Sequence, residues 1–257
     1  MNVDLGNACG SQADFSTTRW SLILLSSTPQ SDEQKQQRAL QQLCRTYWRP
    51  IFLYTFRRGF SVEDAQDLTQ DFFTKILETD WLRNADRARG RFRSLLLKSL
   101  KNFLNDAHEK RTARKRGGGM QFVSWDDWMA EAPSQLSISA QTLEEMDPDR
   151  LYDLRWAATV VEQALRRLCE ECQQRGRLRL YETLSPHLAT DRADMSYAEL
   201  ASALGVEEAA VKRQLHNLRK RYRWLLRDEI SRTVADPAEI DDEIRHLCAA
   251  LAAQAER

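Results

Sequence analysis

The sequence predicts an all-α protein. It has two helical domains joined by an acidic linker, a helix-turn-helix in the second domain, and an extra helix at the C-terminal end. Three observations predict this. Apolar residues recur at spacings of three and four along several long stretches, as one buried helix face requires. Helix-start signatures precede two of them: Ser61 with Asp64, and Ser196 with Glu199. Three consecutive glycines, Gly117 to Gly119, and an acid-rich run separate the first set from the second.

A chain of 257 residues holds one large domain or two small ones with ample core. Its 38 basic and 38 acidic residues cancel, yet they are segregated. Bases far outnumber acids from Arg83 to Arg116. Acids dominate from Asp126 to Asp153, and none occurs from Lys212 to Arg227. Three alternating fields imply separate surfaces with separate partners, so a neutral total does not exclude nucleic acid. Five scattered cysteines make no disulfide framework. Cys169 and Cys172 match Cys-x-x-Cys. They fall inside a helical pattern with no second ligand pair at zinc spacing, so idle thiols are the expectation. No signal-like stretch opens the chain, and the apolar run Leu22 to Leu25 is too short to span a bilayer. The expected setting is cytoplasmic and reducing, with no membrane partner.

Taken in order, residues 1–30 form a polar N-terminal extension in which Ser16 to Leu25 predicts a short helix. Ser31 and Asp32 cap a long helix through Leu43, Tyr47, Ile51 and Tyr54, which Pro50 is expected to kink or divide and Gly59 to close. Ser61 and Asp64 start the next helix. Ala65, Leu68, Phe72 and Ile76 make its apolar stripe, while Asp67, Gln70, Asp71, Thr74 and Glu78 fall opposite. In the third helix Phe92, Leu96, Ser99, Phe103 and Ala107 face a core. Arg91, Ser94, Lys98, Lys101, Asn102 and Asn105 line the other side, before the basic run Lys110 to Arg116. An acidic, hydrogen-bonding helix face followed by a basic one suits a module that holds a basic protein with one helix and a phosphate backbone with the next.

Residues 117–153 read as the acidic linker, and 31–116 and 154–234 as the two domains. In the second domain Trp156, Val160, Ala164, Leu168 and Cys172 keep one face, and a helix follows from about Leu178 to Leu188. The run from Ser196 fits a helix-turn-helix. Ser196 and Glu199 make a capping box, Leu200 and Leu204 face inward, and Ala201 is small at the crossing. Gly205 takes the left-handed turn, and Val206 fills the junction. The next helix buries Val211, Leu215, Leu218 and Tyr222. It exposes Lys212, Arg213, His216, Asn217, Arg219 and Lys220, which offer cations for phosphates and Arg, Asn and His for base edges. Residues 235–257 add a final amphipathic helix through Ile240, Ile244, Leu247, Cys248 and Leu251.

At these residues the chain resembles the bacterial RNA polymerase sigma factors of the sigma-70 superfamily, extracytoplasmic-function (ECF) class. The run Asp64 to Phe73 resembles the family's core-polymerase-binding helix. The run Arg91 to Asp106 resembles its promoter-melting helix, with Asn102 and Asp106 at recurrent positions. The run Tyr197 to Lys212 resembles its helix-turn-helix. Thr18 to Leu22 and the Gly90-Arg91-Phe92-Arg93-Ser94-Leu95-Leu96 run resemble a variant typical of planctomycete-like bacteria. The resemblance covers roughly residues 35–116 and 154–228.

It implies binding rather than catalysis, with core RNA polymerase and promoter DNA as partners and no cofactor. Asp64, Asp67, Gln70 and Asp71 would dock on the polymerase clamp. Arg91, Phe92, Arg93, Lys98, Lys101 and Asn102 would hold the minus-ten strand, and the Trp81–Gly90 loop would capture an unstacked base. The acidic linker would mimic nucleic acid in a positively charged channel. Lys212, Arg213, Gln214, His216, Asn217 and Arg219 would read the minus-thirty-five element. Gln214 and Ala210 stand where the family often has Arg and Thr. The terminal extensions exceed minimal members, and either they or an anti-sigma protein would restrain the factor. The alternative is a helix-turn-helix regulator that does not engage polymerase, or a helical adaptor without a nucleic-acid role. An enzyme is not expected. The four histidines, His108, His187, His216 and His246, are scattered, and no catalytic triad, phosphate loop or metal spacing occurs.

Overall fold

A computed structural model describes residues 33–78, 91–111, 146–189, 195–234 and 236–255. Every regular element among them is helical. The α-helices are α1 (Glu33–Arg57), α2 (Val62–Glu78), α3 (Phe92–Arg111), α4 (Pro148–Gln174), α5 (Leu178–Leu184), α6 (Tyr197–Leu204), α7 (Glu208–Ser231) and α8 (Ile240–Ala255). Short 3-10 turns, Ser185–His187 and Pro237–Glu239, lie between α5 and α6 and ahead of α8. The expected helix at Ser16 to Leu25, the Trp81–Gly90 loop and linker residues 117–145 lie outside the described residues.

The boundaries follow local chemistry. Pro50 lies inside α1, which runs through it without a break. Gly59, at φ 90, follows the last turn. The Ser61 hydroxyl accepts from the Asp64 amide at 3.1 Å and starts α2. Asp147 caps α4 by accepting from the Asp149 and Arg150 amides at 2.9 and 3.4 Å, with Pro148 in the first turn. At its other end the Arg177 amide reaches back to the Cys172 carbonyl at 2.8 Å. The amide of Gly176, at φ 67, reaches Gln173 at 2.9 Å, which closes the helix in a Schellman turn.

Helix α4 is the axis of the molecule, about 40 Å long at the usual helical rise. The position expected to separate linker from second domain, between Asp153 and Leu154, lies inside it. Its N-terminal half joins one core and its C-terminal half another. The first core holds Leu43, Tyr47, Ile51 and Tyr54 of α1, with Phe72, Phe73 and Ile76 of α2. Phe92, Leu96, Leu100 and Leu104 of α3 and Tyr152, Trp156 and Val160 of α4 complete its centre. Ile230, Val234, Ile240 and Leu247 also belong to it, so the end of α7 and all of α8 close over this core. The second core holds Ala164, Leu168 and Cys172 of α4 with Tyr181, Leu184, Leu200, Ala201, Val211, Leu215 and Leu218.

Polar ties hold α4 in place. Glu162 sits between Arg155 and Arg49, at 3.3 and 3.5 Å, and Gln163 donates to the Thr46 hydroxyl at 3.2 Å, both toward α1. Arg167 donates to Asp228 and Glu229 of α7 at 2.6 and 2.7 Å. The α3 stripe is shifted from the expected one: Leu100 and Leu104 are buried, whereas Ser99, Phe103 and Ala107 are half-buried. Val206, expected to fill the turn before α7, is 36% exposed rather than buried in the second core.

Trp156 is fully buried at the centre of the first core. Its replacement by alanine leaves a cavity among residues of α1, α3, α4 and α8. Trp156→Ala is expected to cost about 3–5 kcal/mol of unfolding free energy in urea titrations, against about 1 kcal/mol or less for the 45% exposed Trp224.

Candidate nucleic-acid and polymerase interface

Three charged surfaces fall on α2, on α3 and on the α6–α7 pair. On α2, burial of Ala65, Phe72, Phe73 and Ile76 turns the opposite face outward. Asp67 and Asp71 are exposed one turn apart, and Asp64 and Gln70 are half-buried beside them. Desolvation, and then the neighbouring Asp67, push the Asp71 carboxyl above the ordinary carboxylate range. A like-charged neighbour of this kind costs stability and is kept where it has another use.

Helix α3 carries the second surface. Lys98 and Asn102 are exposed, and Lys101 is half-buried with its ammonium 2.5 Å from Asp149 of α4. Arg91 and Arg93 are elsewhere than the open-groove expectation places them. Arg93 is 4% exposed, pairs with Asp153 of α4 and with Glu243 of α8 (3.1 Å), and lies 4.9 Å from the Trp156 ring. Burial pulls its guanidinium down, but the Asp153 and Glu243 carboxylates outweigh this and hold it above the ordinary value. Arg91 is 3.0 Å from the other Glu243 oxygen. Phe92, a candidate for base stacking, is 3% exposed and packs edge-on against Tyr47 at 5.4 Å. In this arrangement Phe92 is a core residue, since a ring at the first turn of α3 points along the apolar stripe.

Helices α6 and α7 form the third surface. Ser196 accepts from the Glu199 amide at 3.4 Å, and Gly205 turns the chain at φ 67 and ψ 35. Lys212, Arg213, His216 and Asn217 are exposed and Gln214 is half-buried. A groove is lined by Tyr197, Lys212, Leu215, His216, Arg219 and Arg223. Lys212 lies 4.9 Å above the Tyr197 ring. Arg219 donates to the His187 carbonyl at 2.8 Å and approaches the Met195 sulfur at 3.9 Å, so it ties α7 to the segment before α6 as well as lining the groove. Arg223 is exposed at the groove and was not among the expected reading residues. It lies one turn beyond Arg219 in the acid-free run, which is the signal that finds it.

On the other side of α7, Arg221 makes two hydrogen bonds to Glu171 of α4 at 2.6 and 2.7 Å and stacks on Trp224 at 4.2 Å. The Cys169 and Cys172 thiols are pushed up, first by burial, which favours the protonated, unreactive form. Among the described residues no group of three or more His, Cys, Asp or Glu side chains could hold a metal ion, and no helix is long and apolar enough to cross a membrane.

The hydrogen bond from Arg221 holds the Glu171 carboxyl below the ordinary carboxylate range. The pair's stabilisation is therefore fully present above the unfolded-state value of about 4.3 and disappears as pH falls through the lower folded-state value. Glu171→Gln is expected to cost about 1 kcal/mol at pH 7, since the pair is partly solvated, and nothing further at low pH. Thermal melts of both proteins between pH 7 and pH 3 measure this convergence.

No curated protein and no solved structure matches the chain. The model of one family, ECF sigma factor, matches residues 52–229, well over half of the chain and all three charged surfaces. The chain belongs to the ECF sigma factor family, whose members direct transcription initiation.

Proposed function

We propose that this chain binds core RNA polymerase through the α2 acid row, holds the melted minus-ten strand with α3, and reads the minus-thirty-five element with α7. The observation that carries this is the acid row itself. Asp67 and Asp71 stand exposed one turn apart, and the charged neighbour felt by Asp71 is Asp67. A DNA-binding regulator has no need of such a row, whereas docking on a basic surface of polymerase does.

The roles divide by chemistry. Asp64, Asp67, Gln70 and Asp71 present carboxylates and an amide to the polymerase. Lys98 and Asn102 meet the minus-ten strand directly, and Arg91, Arg93 and Lys101 meet it once their acidic neighbours move aside. Lys212, Arg213, Gln214, His216, Asn217, Arg219 and Arg223 take the upstream element, the cations on phosphates and Arg213, His216 and Asn217 toward base edges. The regulator is the terminal extension or a separate anti-sigma protein. The Thr18–Leu22 and Gly90–Leu96 runs support the planctomycete-like variant. The factor works in the cytoplasm, where polymerase is.

The test is a pull-down of purified bacterial core RNA polymerase followed by run-off transcription on a library of promoter fragments. The wild-type chain is expected to bind and give promoter-dependent transcripts. Combined Asp67→Lys and Asp71→Lys substitution is expected to weaken polymerase binding by roughly a hundredfold or more, with an unchanged circular dichroism spectrum. DNA binding without polymerase binding assigns the chain to the regulators. In the same assay, Arg213→Ala is expected to lower use of the best promoter by about 1–3 kcal/mol and to relax sequence preference there.

A further inference from the structure

Helix α8 touches the minus-ten surface in a way that its apolar packing does not require. Its inward seam follows Ile240, Glu243 and Leu247, at 5%, 1% and 2% exposure. The middle position of a helix seam calls for an apolar side chain, and here it is a buried carboxylate. That carboxylate lies against both arginines that open α3: Oε1 accepts from Arg93 at 3.1 Å, and Oε2 is in an ion pair with Arg91 at 3.0 Å without hydrogen-bond alignment. A second acid, Asp153, reaches Arg93 from α4, and His246, one turn after Glu243, lies 3.1 Å from Asp153. Asp149 takes Lys101 further along α3. Three of the six residues expected to hold the minus-ten strand are thus held by carboxylates, and the one on α8 is the best buried.

A buried ion pair seldom adds net stability over well-packed apolar residues, so its retention points to specificity or switching. Carboxylate oxygens on guanidinium groups also occupy the positions that phosphate oxygens take on the same groups. Outside this contact α8 packs Ile240 and Leu247 into the first core, with Ile244, Ala250 and Leu251 partly buried against it. Ile240 and Leu247 are its deeply buried apolar side chains among the described residues, and the tie to α7 at its start, Arg227 with Asp241, is largely exposed.

We propose that α8 is a latch on this factor, with Glu243 standing in for phosphates of the single-stranded promoter and displaced when that strand binds. The inference rests on the reading of α3 as the minus-ten surface and adds its regulation. Opening α8 uncovers Arg91 and one side of Arg93, and the strand's phosphates replace the carboxylate charge for charge.

The experiment measures fluorescence anisotropy of a labelled, AT-rich single-stranded oligonucleotide with the full chain and no polymerase. Glu243→Gln keeps the shape and removes the charge, and it is expected to bind at least tenfold more tightly than wild type. Equal affinity for two proteins with the same circular dichroism overturns the latch. A second measurement needs no variant. On adding the oligonucleotide to the wild-type chain, amide hydrogen exchange across residues 240–255 is expected to rise. Unchanged or slower exchange there while the strand is bound overturns the latch, whatever Glu243→Gln does. Run-off transcription in parallel separates the two ideas. Transcripts from wild type with no effect of Glu243→Gln on strand binding leave the sigma-factor reading standing without the latch. A tighter-binding Glu243→Gln chain that engages no polymerase supports the latch and removes the polymerase reading.

Discussion

Helix α4 must satisfy two cores at once, and the arrangement of the other helices depends on that requirement. Between Leu151 and Val160 its buried residues face α1, α3 and α8, and from Ala164 to Cys172 they face α5, α6 and α7. A stiff helix that donates one end to each core cannot let either core move independently without exposing apolar surface. Linker and domain are therefore not separable at α4. The Asp147 cap and the Schellman turn at Gly176 set its two ends, and Glu162 and Arg167 set its rotation against α1 and α7.

Burial then sorts the charges by use. Acids and bases that pair between helices, such as Glu162 with Arg49, Glu229 with Arg167, and Glu171 with Arg221, register one helix against another. Charges on α2 and on the outer face of α7 remain exposed, where they cost little and can meet a partner. The α3 surface falls between these classes. Its lysine and asparagine at 98 and 102 are exposed, while its first arginines are drawn inward by Asp153 and Glu243.

Legibility of the sequence varied with the range of the interaction. Ser61 with Asp64, Ser196 with Glu199, and Gly205 were readable because caps and left-handed turns are decided within four residues. The apolar stripes of α2 and α4 were readable from spacing. The α3 stripe was only partly so, because Leu95 to Leu97, Leu100 and Leu104 offer several overlapping faces and the choice belongs to α1 and α4. Phe92 and Arg93 show the same limit. A ring and a guanidinium at the start of a basic helix read as ligands for DNA, and only the approach of Tyr47, Trp156 and Glu243 shows them covered.

The sequence by itself determined the helical class, the capped starts at Ser61 and Ser196, the left-handed turn at Gly205 and the sign of each exposed face, because each rests on local periodicity, capping and charge. Tertiary structure alone decided that α4 serves two cores, that Arg219 also anchors α7, and that α8 lays Glu243 on Arg91 and Arg93. Those contacts join residues as much as 152 positions apart in the chain. No local pattern encodes a pairing of that range, since it depends on how whole helices stack to bury their apolar faces.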